Sequence, residues 1–300
     1  MKKWLLSIGI LLVVFLGCVY FIIPGSLNIV QVTPVHCSPN GAHRLLTDSA
    51  KWLNWSNSLS KDYKFIFQQS LPHGLDILVQ QKGIDIPSRI VVMPVERDSI
   101  SLVWQCTYLT SNNPFKRIAS YQQATELKDN FNEILQKFKS YAENTANIYG
   151  YNIQQTSTAD TLLMAARGTA GAYPSIQEVY KLVNQLKDYI NAHGAQQTGD
   201  PMLNVTPTTN QFQFQVAVPV NKMLPDKGNI FSRRMVPGNF MMLEAKGGPK
   251  TVDHAMRQLQ QYAVDYQRTS MAIPFQVMIT DRLKEQDTAK WITRIYYPVM

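Results

Sequence analysis

The side chains able to do chemistry in this 300-residue chain are few, and their spacing excludes most reaction classes. His36, His43, His73, His193 and His254 have neither HExxH spacing nor a CxxC partner, so no metal site is expected. Cys18, Cys37 and Cys106 are too few for a disulfide framework. Cys37 and Cys106 could still pair if the folded part lies outside the cytoplasm. Gly247-Gly248-Pro249-Lys250-Thr251 lacks the spaced glycine of a phosphate loop, and Pro interrupts it. There is no GxSxG elbow and no helix-turn-helix segment. No cofactor and no catalytic residue is assigned, and whether the chain is an enzyme stays open.

Net charge is +8 and the sequence pI about 9.3, with 17% of residues charged. The basic residues are scattered (Lys61, Lys64, Lys82, Arg89, Lys116, Arg117, Arg233, Arg234, Lys246, Lys250) and form no long run. That pattern argues against a nucleic-acid partner, which needs clustered charge, and suits a surface beside anionic lipid.

Those residues must be held by elements whose patterns divide the chain in three. Residues 4–23 are uncharged and long enough to cross a bilayer. Lys2 and Lys3 precede them, and Pro24-Gly25 follows without a small-x-small cleavage site. The expectation is an uncleaved anchor over residues 1–25, with a cleaved signal or a buried helix as the alternatives. The positive-inside rule then places the rest in the periplasm, on a single-pass protein of a bacterial inner membrane.

Residues 26–147 read as a strand (27–37), a helical stretch (41–57), four short strands (63–69, 75–81, 88–95, 99–109) and a long helix (125–146). Pro34 puts the first strand at an edge or bulge, and Lys82-Gly83 marks a turn. In the long helix Leu127, Phe131, Ile134, Leu135, Phe138 and Tyr141 form one stripe. The segment GAHRLLTDSAKWLNWSN, with Leu45, Leu46, Asp48, Trp52 and Trp55, resembles the opening of START-like polyketide-cyclase (SRPBCC) domains. SLVWQCTYLTSNNPFKRI is similar to that family's last strand and following loop. The resemblance implies a helix-grip fold whose sheet curls around the long helix, leaving a cavity that either takes a ligand or is filled by side chains.

Residues 148–300 carry a βαββ pattern twice. The first copy has a strand at 162–167, a helix at 175–193 opened by a Ser175/Glu178 capping box and closed by Gly194, and strands at 202–206 and 211–218. The second has a strand at 240–245, a helix at 251–267, and strands at 275–280 and 291–298. Two copies packed edge to edge give one sheet with both helices on one face and a concave face opposite. The segments FMMLEAKGGPKTVDHAMRQLQQY, IPFQVMIT and TRIYYPV resemble the GyrI-like domain, also called the AraC effector-binding domain. The overall expectation is therefore an α+β chain with an N-terminal transmembrane helix, a helix-grip domain and a tandem βαββ domain.

The resemblance implies a small apolar or amphipathic ligand, often cationic or aromatic, in the concave groove, and a groove carboxylate at the position held here by Gln276. An amide can only donate and accept hydrogen bonds there. If Phe275, Val277 and Ile279 pack on the helices, then Gln276, Met278 and Thr280 face the groove. If Met241, Leu243 and Ala245 pack inward, Phe240, Met242 and Glu244 face it too. Glu244 then supplies a charge, unless it is only a solvated strand end, and Tyr297 completes the candidate ligand-binding set. A binding protein is the leading reading. A hydrolase using Glu244 with Tyr297, or a periplasmic scaffold for a protein partner, are the alternatives.

Overall fold

The computed structural model describes residues 2–56, 63–81, 83–159, 161–235, 237–270 and 272–299. Asn57, Lys61 and the Lys82 half of the expected turn lie outside them. The chain is α+β and forms two compact units, Met1–Asn144 and Thr145–Met300.

The first unit opens with α1 (Lys2–Ile22), an apolar run that stops before Pro24, whose ring disfavours helical geometry in the residue ahead of it. Its C-terminal end docks on the unit. Val19 and Ile23 are buried, Arg117 Nε donates to the Ile23 carbonyl at 2.7 Å, and the Tyr20 hydroxyl donates to the Asn112 carbonyl. Ile10, Leu11, Val13, Val14, Phe15 and Phe21 are exposed. Among the described residues no helix is long and apolar enough to cross a membrane, so the expected transmembrane anchor gains no support from the helices.

β1 (Ser26–Val35) leads into α2 (Pro39–Thr47) and α3 (Ser49–Ser56). The single helical stretch expected here is two helices. Asp48 is extended, and its carboxylate accepts from the Ala50 N–H, which starts α3 afresh. β2 (Tyr63–Leu71), β3 (Gly74–Gln81), β4 (Ile84–Pro94) and β5 (Ile100–Leu109) complete an antiparallel sheet in the order β1-β5-β4-β3-β2. Pro34 therefore sits on an edge strand, where its missing N–H costs no ladder bond. α4 (Pro114–Ala142) begins well before the expected residue 125. Asn113 caps it, accepting from the Phe115 and Lys116 N–H groups, and proline follows at the first helical position.

The expected α4 stripe is buried except for Tyr141, which is half-buried, and aromatic rings occupy the space between it and the sheet. Trp104 stacks on Phe131 with centroids 4.1 Å apart. Trp52 meets Trp55 at 4.5 Å, and Trp55 meets Phe138 edge-on at 5.1 Å. The cysteine pairing is corrected: both thiols are free and buried. Cys106 on β5 stands opposite Ile29, whereas Cys37 lies beyond the far end of β1 at Val35. At about 3.3 Å per strand residue the two are roughly 20 Å apart or more, well past disulfide reach.

The second unit starts with α5 (Thr145–Tyr149) and continues β6 (Gln154–Thr158), β7 (Thr161–Ala170), α6 (Ile176–Ala192), β8 (Met202–Pro207), β9 (Phe212–Val220) and β10 (Ile230–Met235). Then come β11 (Gly238–Lys246), α7 (Pro249–Asp265), β12 (Phe275–Met278), a short 3₁₀ turn, and β13 (Ile292–Val299). All eight strands form one sheet ordered β10-β7-β9-β8-β12-β13-β11-β6. The two βαββ copies, β7-α6-β8-β9 and β11-α7-β12-β13, join where β8 pairs with β12, with Leu203 opposite Gln276 and Met202 opposite Val277. β6 and β10 extend the outer edges and had no counterpart in the sequence reading. β6 is Gln-Gln-Thr-Ser-Thr, with no apolar alternation to detect.

Local chemistry sets the helix limits. Ser175 and Glu178 form the reciprocal capping box, and Gly194 has the positive φ of 63° that ends α6. Gly247 bends the chain into α7 at φ 144°, where a Cβ would lie 2.5 Å from Thr251 Oγ1. Register puts Val216, Leu203, Gln276, Ile295 and Leu243 on one face, because directly paired residues point the same way. α6 and α7 both pack on that face. Val183, Leu186 and Ile190 bury against Met164, Val216 and Met278, while Val252, Ala255 and Leu259 are buried over β11 and β13. The end of α7 is tied to α5 by Asp265, which accepts from the Tyr149 hydroxyl at 2.8 Å and from Gln261 Nε2 at 3.0 Å.

Candidate ligand-binding face

The opposite face of the eight-stranded sheet carries neither α6 nor α7. One row crosses it as Phe231, Ala165, Ala217, Met202, Val277, Arg294 and Glu244, each paired with the next across a ladder. The next row places Arg167, Gln215 and Asn204 from the first copy beside Phe275, Tyr296 and Met242 from the second. Near this junction three rings converge. Phe275 and Tyr296 stack at 5.0 Å with an interplanar angle of 9°, and Phe240 meets them edge-on at 5.7 and 6.1 Å. Phe240 is buried; Phe275 and Tyr296 are half-buried and keep area to offer.

Two hollows meet beside these rings. A cleft of about 630 Å³ is lined by Arg167, Thr169, Asn204, Gln213, Gln215 and Ile273. A smaller apolar pocket of about 160 Å³ lies among Leu163, Met202, Ala217, Met235 and Phe275, and shares Asn204, Gln215 and Ile273 with the cleft. Asn204 Nδ2 donates to the Pro274 carbonyl at 2.8 Å, which holds the segment before β12 against β8 at the seam.

Of the six candidate residues, Phe240, Met242 and Glu244 stand on this face, while Gln276, Met278 and Tyr297 do not. Gln276 is paired with Leu203 and 8% exposed; Met278 is 2% exposed in the core under α6. Tyr297 lies opposite Met241, which is fully buried beneath α7. The cause is strand phase. Taking Phe275 as inward-facing inverts every residue of β12, because side chains alternate with a period of two. Phe275 and Tyr296 take the places expected of Gln276 and Tyr297. The signal was available in TRIYYPV: once Ile295 is inward, Tyr296 must face the other way.

Glu244 is half-exposed and its carboxylate accepts from Arg294 Nε at 3.2 Å, so the charge is matched across the strands. Tyr297, the expected partner of Glu244, is on the helix face, and Tyr296 stands on the Glu244 face instead. Among the described residues there is no group of three or more His, Cys, Asp or Glu that could hold a metal ion. Arg282, in the β12–β13 connection on the helix side, is partly buried. Burial lowers its pKa, Nη2 donates to Thr293 Oγ1 at 2.9 Å, and the guanidinium lies 5.0 Å from the Trp291 ring centre.

No family model matches the chain, and no curated protein matches it in sequence. Among solved structures it is similar to the EcmrR C-terminal domain at 19% identity, covering 50% of this chain and 98% of that one, with a TM-score of 0.44. A second likeness is to SAV2435 bound to tetraphenylphosphonium: 20% identity, 50% and 93% coverage, TM-score 0.33. A third is to a hydrolase from Listeria innocua: 10% identity, 49% and 91% coverage, TM-score 0.40.

Proposed function

We propose that the protein binds a small apolar or amphipathic molecule on the helix-free face of its C-terminal unit, at the seam between the two βαββ copies. The observation that carries this is the half-buried stack of Phe275 on Tyr296 beside two hollows. Aromatic surface placed on an open sheet face next to a cleft stabilises nothing in the fold that burial would not stabilise better, and is well placed to cover a ligand. Phe240 and Met242 contribute to the same floor, and Glu244 borders it through its pair with Arg294.

The tandem βαββ topology, joined antiparallel at β8 and β12, supports a GyrI-like reading of this unit. The order of strand, two short helices, four strands and long helix supports a helix-grip reading of the first. Its ring-filled interior directs the ligand to the second unit. We also carry forward attachment to a bacterial inner membrane through α1, supported by the exposed apolar side chains and the flanking Lys2 and Lys3. Alkaline carbonate extraction tests that attachment: the chain should stay with the membrane pellet, and release into the wash would refute it.

Ligand binding is tested with the neutral fluorophore phenylnaphthylamine. Its emission should rise with the full-length protein, and Phe275→Ala or Tyr296→Ala should weaken binding about tenfold, equivalent to roughly 1.4 kcal/mol. Unchanged affinity in both variants would exclude this face.

A further inference from the structure

The two halves of the face differ in charge. In the described strands, Arg167, Arg233, Lys246 and Arg294 lie on it, against a single carboxylate, Glu244. Glu244 is already engaged by Arg294. Among the described residues no carboxylate pairs with Arg167 or Arg233. The net field over the hollow is therefore positive, and it attracts the opposite sign.

The two unpaired arginines are also held in place. Ladder register sets Phe231 opposite Ala165, with Arg167 two residues along β7 on one side and Arg233 two residues along β10 on the other. Both guanidiniums lie over the Phe231 ring, at 4.9 and 5.3 Å from its centre. Stacking restrains a planar guanidinium through its face and leaves its N–H edge free to donate. Asn229 fixes the backbone beneath: its side chain donates to the Arg167 carbonyl and accepts from the Arg167 N–H. Gln213, Gln215 and Thr169 line the same cleft and add amide and hydroxyl groups.

We infer that the occupant of this face is an amphipathic organic anion, with its oxyanion head at Arg167 and Arg233 and its apolar body over Phe275 and Tyr296. This rests on the ligand-binding reading above and specifies its ligand class. The two hollows connect head and body sites: Arg167 lines the cleft, Phe275 lines the smaller pocket, and the two hollows share Asn204, Gln215 and Ile273. The head is a carboxylate, sulfonate or similar group, whose paired oxygens match a guanidinium fork. An organic cation is disfavoured, because its counter-charge at Glu244 is already matched.

The test compares two probes that share one ring system, neutral phenylnaphthylamine and anionic anilinonaphthalene sulfonate, on the full-length protein. The anion should bind about tenfold more tightly, and the margin should shrink as salt is raised. The double variant Arg167→Gln/Arg233→Gln should bring the two affinities within about twofold, the larger loss falling on the anion. Both arginines are exposed, so the variant should fold, and its thermal melt confirms that. Any binding to α1 is common to all variants and cancels in the comparison. If Phe275→Ala weakens the neutral probe but the wild type shows no preference for the anion, the charge inference fails and the binding face stands. The inference also fails if the double variant keeps the preference. If neither probe responds to Phe275→Ala or Tyr296→Ala, both fail together.

Discussion

Each unit lays helices on one face of an antiparallel sheet, yet the second also keeps an aromatic stack on the face its helices leave uncovered. The first unit places Trp52, Trp55, Trp104, Phe131 and Phe138 between sheet and helix, where they are almost fully buried. The second buries Tyr180, Tyr189 and Phe214 among aliphatic residues and Met under α6, but leaves Phe275 and Tyr296 half-exposed on the face its helices do not cover. Rings buried against a helix contribute to stability; rings on an uncovered face contribute contact area to a ligand. Removing one ring from each unit should therefore affect different observables.

The largest effect is expected from Phe131→Ala. Losing the ring stacked on Trp104 should destabilise the first unit by about 3–5 kcal/mol. Tryptophan fluorescence during denaturation follows this, because four of the five tryptophans (Trp4, Trp52, Trp55 and Trp104) are in that unit. A loss as small as that of a surface substitution would contradict the packing. In the second unit Phe275→Ala should shift the melt little and weaken probe binding about tenfold, or roughly 1.4 kcal/mol. If stability fell and binding did not, the contrast between the units would collapse.

Smaller effects sharpen the comparison. Ser175→Ala removes the α6 cap and should cost about 1 kcal/mol in the second unit alone. Glu244→Gln breaks an ion pair whose side chains are 44–50% exposed, so its cost should stay below about 0.5 kcal/mol, with any larger loss indicating a desolvated environment the geometry lacks. The smallest effect at neutral pH belongs to the thiols. Burial pushes Cys37 up to about 12, with Glu143 adding to it, and Cys106 up to about 11. Thiol reagents should spare both until the first unit unfolds. Because the folded state holds the neutral thiols, their contribution is complete below the ordinary thiol pKa. It is lost as pH rises from about 9 towards 12. An alkaline transition in the tryptophan signal that Cys37→Ser moves to higher pH would agree with this; an unmoved transition would not.

Elements with strong internal signals were legible in the chain itself. The α4 stripe, the Ser175 capping box, the Gly194 stop and both βαββ copies follow from short-range periodicity and cap chemistry, which act within a few residues. Three kinds of information were not local. Polar β6 and short β10 exist because β11 and β7 offer them an edge, and Gln-Gln-Thr-Ser-Thr carries no alternation of its own. The phase of β12 was set by which face α6 covers, so Met278 went inward and Phe275 outward against their reading from four residues alone. Cys37 and Cys106 were separated by the β1–β5 register, which no spacing in the sequence encodes. Periodicity states that a strand has two faces. Which face becomes core is decided only when the helices choose a side, and at the β8–β12 seam that choice placed the rings, the hollows and Arg167 together.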